Sequence, residues 1–108
     1  MISTHILDTQ LGKPASFISV RLLQVETNRY IGEGITDSNG RIQDLQIQIP
    51  IEQGIYQLEY DVAPYFQKLN TPSFFPKVYI QFYISALNEH YHIPLLLSAH
   101  AYSTYRGS

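Results

Sequence analysis

The chain contains no cysteine. Disulfides, thiolate nucleophiles and cysteine-bound metals are therefore excluded. The absence of disulfides fits a reducing compartment, and a cytoplasmic location is the expectation. No apolar run approaches the roughly 20 residues that span a bilayer. The N-terminus has no positively charged start followed by an apolar stretch, so neither a membrane partner nor a signal peptide is expected. Charge is also scarce: 7 Lys and Arg stand against 9 Asp and Glu, a net of −2. No basic patch is present, which argues against nucleic acid as a partner.

What is present is enough for one folded unit. The 108 residues suit a single domain, 1–108, and 44% of them are hydrophobic. Tyrosine supplies 9 of the aromatics and phenylalanine 5. Tyrosine suits half-buried sheet faces and interfaces, because one end is apolar and the other wants water.

The dominant period is two. Ile18, Val20 and Leu22 alternate with Ser19, Arg21 and Leu23. The same pattern recurs at Leu45, Ile47 and Ile49, from Tyr56 to Val62, from Val78 to Ile84, and from Ile93 to Leu97. Each run predicts a strand with one face toward a core. Turn signals separate them, among them Leu11-Gly12-Lys13-Pro14, Asp37-Ser38-Asn39-Gly40 and Glu52-Gln53-Gly54. One segment, Ala63 to Asn70, reads instead as about two turns of helix, with Pro64 near the first helical position. About seven or eight short strands and one short helix predict an all-β fold, a two-sheet antiparallel sandwich. Tyr79 and Tyr83 share the non-core face of strand 78–84, which points to burial between subunits.

Chemistry, where present, rests on histidine and arginine. The four histidines are His5, His90, His92 and His100. Imidazole, with an unperturbed pKa of roughly 6.5, suits proton transfer near neutrality. His90 and His92 are one residue apart, so a strand would point both to one face. Glu89 is the only carboxylate close by in sequence, and no metal is assigned to the pair. Arg41 leaves the Asp37–Gly40 turn, and a guanidinium there offers a rigid fork for carbonyl or carboxylate groups. The C-terminus alternates like a strand from Ala101 and ends on Arg106-Gly107-Ser108. Tails ordinarily fray; a strand running this far would place the Ser108 hydroxyl and the terminal carboxylate at a defined point.

Taken together, these residues resemble a known family. Its marks here are Ser3-Thr4-His5-Ile6-Leu7-Asp8 with Gly12-Lys13-Pro14-Ala15, Thr36 to Arg41, and Phe74-Phe75-Pro76. His90 to Ser98 and the closing Tyr102-Ser103-Thr104-Tyr105-Arg106-Gly107-Ser108 complete the set. The chain resembles the 5-hydroxyisourate hydrolases, or transthyretin-related proteins, from Ser3 to Ser108. Tyr-Arg-Gly-Ser is the most specific of these marks, since it separates the hydrolases from the hormone-carrying transthyretins. Ile6 stands where valine is usual, and Ala99-His100 replaces a proline-containing pair.

The resemblance implies a transthyretin-like β-sandwich and a homotetramer built as a dimer of dimers, with active sites in a channel where dimers meet. It implies ring opening of a small-molecule substrate, the cyclic ureide 5-hydroxyisourate, in urate and purine degradation. The catalytic positions it implies are His5, Arg41, His92 and Ser108, with Tyr105, Arg106 and Gly107 binding substrate. No metal or organic cofactor is called for. The alternatives are a transthyretin-like carrier of a small apolar ligand in the same channel, and a scaffold or adhesion domain with no turnover.

Overall fold

The computed structural model describes all 108 residues. The chain forms β1 (Ile2–Asp8), β2 (Lys13–Pro14), β3 (Ser19–Gln24), β4 (Arg29–Ile35), β5 (Arg41–Ile42) and β6 (Gln46–Ile47). There follow β7 (Gly54–Asp61), α1 (Ala63–Lys68), β8 (Val78–Ile84), β9 (Tyr91–Leu97) and β10 (Tyr102–Thr104). One sheet runs β10-β9-β1-β2, with β5 also paired to β1; the other runs β6-β4-β3-β7-β8.

The two sheets close face to face over the side chains that period two had marked in β3, β7, β8 and β9, joined by two isoleucines of β1. Val20 and Leu22 of β3 meet Tyr56, Leu58 and Tyr60 of β7 and Val78 of β8 on one side. Ile2 and Ile6 of β1 and Ile93, Leu95 and Leu97 of β9 answer from the other. Each such aliphatic chain withdrawn from water stabilises the fold by about 1.5–3 kcal/mol. One polar bond crosses this core: Thr4 Oγ1 lies 2.8 Å from the Tyr60 hydroxyl. Thr4 Oγ1 donates to the Ile93 carbonyl at 2.6 Å, so the buried Tyr60 hydroxyl donates to Thr4 and is satisfied there.

The antiparallel expectation holds for every pairing but one. β1 and β9 run parallel, with Ser3 opposite His92 and His5 opposite Pro94. This pair joins the two ends of the chain, and the long connection that a parallel pair requires is the rest of the domain. The expected strand 45–49 shrinks to β6. Leu45 donates its N–H to Ile2 of one sheet, while Gln46 and Ile47 pair with β4 of the other. A segment that changes sheets cannot extend a ladder on either. The helix ends earlier than expected, because Asn70 turns into the left-handed region at φ 53°. The final strand is also shorter than the expected Tyr102–Ser108. It stops at Thr104, and a single bridge between His92 and Gly107 resumes the pairing.

Candidate active site

The site lies on the outer face of the β10-β9-β1-β2 sheet. Strand alternation sends Ile2, Thr4 and Ile6 into the core, so Ser3 and His5 face outward. The parallel register sets Ser3 beside His92, and the β5 register sets His5 beside Arg41. His5, Arg41 and His92, far apart in sequence, therefore share one face.

Arg41 is delivered by the Asp37–Gly40 turn. The Asp37 carboxylate accepts the N–H of Asn39 at 2.8 Å and that of Arg41 at 2.9 Å. Gly40 sits at φ 71°, and its carbonyl accepts the Ile6 N–H at 2.8 Å. A Cβ at residue 40 would fall 2.5 Å from the Ile6 carbonyl oxygen, so only glycine lets this turn lie flat against β1.

A groove of about 370 Å³ opens beside these residues. Ser3, Arg41, Gln43, His90, His92 and Ser108 are among its lining residues. His5 does not line this groove; it stands two residues further along the same face. The Ser3 hydroxyl lies 2.6 Å from His90 Nε2 and 2.7 Å from His92 Nδ1.

Burial holds both the His5 and the His92 imidazoles below their ordinary pKa, and the Arg41 charge adds to the effect in each. For His5, a backbone hydrogen bond at Asn39 and the charge of Asp37 pull partly back. Both rings are therefore neutral at pH 7 and able to accept a proton. A neutral imidazole beside a guanidinium can activate a water next to a polarised carbonyl.

The tail closes one end. The Gly107 N–H donates to the His92 carbonyl at 2.8 Å, which brings Ser108 to the groove. Tyr105 and Arg106 lie elsewhere within the protomer. They line a second cavity of about 290 Å³ with Ile80, Phe82, Tyr91 and Ile93. Arg106 lies 4.6 Å from the centre of the Tyr91 ring and 3.6 Å from the Glu89 carboxylate. Of the expected site residues, the fold gathers Arg41, His92, Ser108 and Gly107, with His5 beside them. His100 is exposed and lies outside the groove. Sequence reasoning did not assign Ser3 or His90 to the site. Their signal is the β1–β9 register, which no local pattern carries.

A two-sheet sandwich with this strand order and a histidine–arginine face is a transthyretin-type fold carrying a polar site. The chain belongs to the HIUase/Transthyretin family, whose model matches residues 2–107. It is 44% identical over 110 residues to the 5-hydroxyisourate hydrolase of Salmonella dublin, covering 100% of this chain and 81% of that protein. The solved 5-hydroxyisourate hydrolase of Klebsiella pneumoniae superposes with a TM-score of 0.86 at 33% identity, covering 99% of this chain and 92% of that one. Sea bream transthyretin, solved with thyroxine, has a TM-score of 0.86 at 25% identity, covering 98% and 93%.

Proposed function

We propose that this protein is a hydrolase that opens the ring of 5-hydroxyisourate in urate degradation. One observation carries the reading: Arg41, His92 and Ser108 converge on one groove, with His5 next to it on the same face. The relatives named 5-hydroxyisourate hydrolase support the substrate. The carrier alternative fits less well, since the groove presents histidine, arginine and serine where an apolar hormone would need an apolar wall.

The chemistry follows from the side chains. One imidazole removes a proton from water, and the hydroxide adds to the activated ring carbonyl carbon. The negative charge that develops on the carbonyl oxygen is stabilised by Arg41. The carbon–nitrogen bond then breaks, and the departing nitrogen takes a proton from the imidazolium. We assign the base to His92 and the partner role to His5. Ser108 positions substrate or water, while Gly107 seats the tail. Tyr105 and Arg106 anchor the tail in the second cavity, and any contact they make with substrate comes from across a subunit contact.

We further propose a homotetramer, a dimer of dimers with the groove opening into the channel between them. β8 and β10 are unpaired sheet edges, both flanking the second cavity. Tyr83 on β8 is 74% exposed in the single chain. An unpaired seven-residue edge such as β8, carrying exposed tyrosine, is a ready surface for pairing with another strand. The test of the function is the ultraviolet decay of freshly generated 5-hydroxyisourate. Acceleration by the protein beyond the spontaneous rate is expected; an unchanged decay refutes the reading.

A further inference from the structure

His92 needs a free lone pair on the ring nitrogen that faces the groove, and something must set which nitrogen carries the proton. Ser3 is the group in contact. It is buried, at 6% exposure, and its Oγ spans His92 Nδ1 at 2.7 Å and His90 Nε2 at 2.6 Å. The two rings do not touch each other; their centres are 6.4 Å apart, and the hydroxyl bridges them.

A hydroxyl has one proton to donate and two lone pairs to accept with. It can donate to one of the two nitrogens only, so the other ring donates to it. If His92 Nδ1–H donates to Ser3 and Ser3 O–H donates to His90 Nε2, His92 Nε2 is left free to act as base. The opposite order would place the proton on His92 Nε2 and silence it. His90 is exposed, so it can take on charge beside solvent at little cost, whereas His92 is half-buried.

We propose that Ser3 is a positioning residue that holds His92 in its Nδ1–H form and, with His90, makes a relay for the proton His92 takes up. Proton balance is simple. Water gives a proton to His92 Nε2, His92 gives its Nδ1 proton to Ser3 Oγ, and Ser3 gives its own proton to His90 Nε2. His92 and Ser3 end neutral, and the positive charge rests on His90 near solvent. The reverse passage restores the resting state and returns the proton to the departing nitrogen.

The kinetic part rests on the hydrolase reading; the tautomer does not. In ¹⁵N-histidine-labelled protein at neutral pH, the His92 Nδ1 signal should be of the protonated type and Nε2 of the unprotonated type. Ser3→Ala should abolish that preference, while Ser3→Thr, which keeps the hydroxyl, should retain it. Losing a residue that orients a reacting imidazole typically costs about 10–100-fold. That loss is expected in kcat for Ser3→Ala, with KM changed by less than about threefold and the tetramer intact. His90→Gln should lower kcat about 10-fold while leaving the His92 tautomer unchanged, because only the proton's destination is lost. An Nε2–H form of His92 in the unmodified protein, or unchanged kcat in Ser3→Ala or in His90→Gln, overturns the proposal. If the unmodified protein leaves 5-hydroxyisourate untouched, the functional reading falls, and the tautomer still decides the role of Ser3.

Discussion

Replacing Gly107 with alanine tests whether the tail and His92 form one precise unit. Gly107 is not in the left-handed region, so its backbone would accept alanine without strain. The obstacle is space. A Cβ there would stand 2.5 Å from His92 Cδ2, with His92 Cγ and Pro94 Cγ both at 3.3 Å. Carbon atoms in contact prefer about 3.5–4.0 Å, so either the imidazole or the tail must move by about 1 Å. If the tail lifts, the hydrogen bond from Gly107 to the His92 carbonyl is lost, at a net cost of about 1 kcal/mol. Alanine returns about 0.4–1 kcal/mol by restricting the unfolded chain. Stability should therefore be nearly unchanged. Turnover should not be, since a displacement of 1 Å in a catalytic constellation can cost about 10²-fold. Thermal melting and the decay of 5-hydroxyisourate on the same preparation read the two quantities. Turnover within about threefold of the unmodified protein would show that the geometry around His92 tolerates the shift and that close packing there does not set the rate.

Deleting Arg106-Gly107-Ser108 should lower turnover sharply while the melting temperature and assembly stay largely intact; parallel loss of stability and activity would make the tail mere packing. Changing His5 or His92 to alanine should reduce turnover by about 10²–10⁴, whereas His100→Ala should have little effect. Steady-state kinetics on the three variants settle the assignment, and a near-normal double variant of His5 and His92 would refute it. Because both imidazoles are held below their ordinary value, activity should stay level around pH 7 and fall only as the pH drops below the ordinary histidine range and they protonate. The same depression has a sign for folding. The unfolded chain binds these protons first, so this part of the stability is present at neutral pH and is lost as pH falls through the folded values. Light scattering should give about 50 kDa, four chains of 12.4 kDa, and a stable monomer at micromolar concentration would contradict the tetramer.

The sequence by itself determined the parts of this protein that rest on local pattern. Alternation placed β3, β7, β8 and β9 and told their core faces from their outer faces, because burial of one sheet face imposes a period of two. Pro64 marked the helix, and the Asp37–Gly40 turn located Arg41 by its own hydrogen bonds. β1 was legible only as a family motif, since Ser3, Thr4 and His5 break its apolar alternation. β4 was not legible, because Gly32 and Gly34 stand where side chains would show a pattern. A Cβ at Gly32 would lie 3.0 Å from the Gln46 carbonyl oxygen, and one at Gly34 would lie 3.1 Å from Ile42 Cδ1. Tertiary structure alone decided the site's finer order. The parallel β1–β9 register puts Ser3 between His90 and His92 across a sequence separation of 87 and 89 residues. On the other edge of β9, the antiparallel pairing with the tail brings Gly107 to His92 while Tyr105 and Arg106 turn into another cavity. Local pattern carries no information on such pairings, because the free energy that selects a register comes from the whole packed face rather than from any one strand.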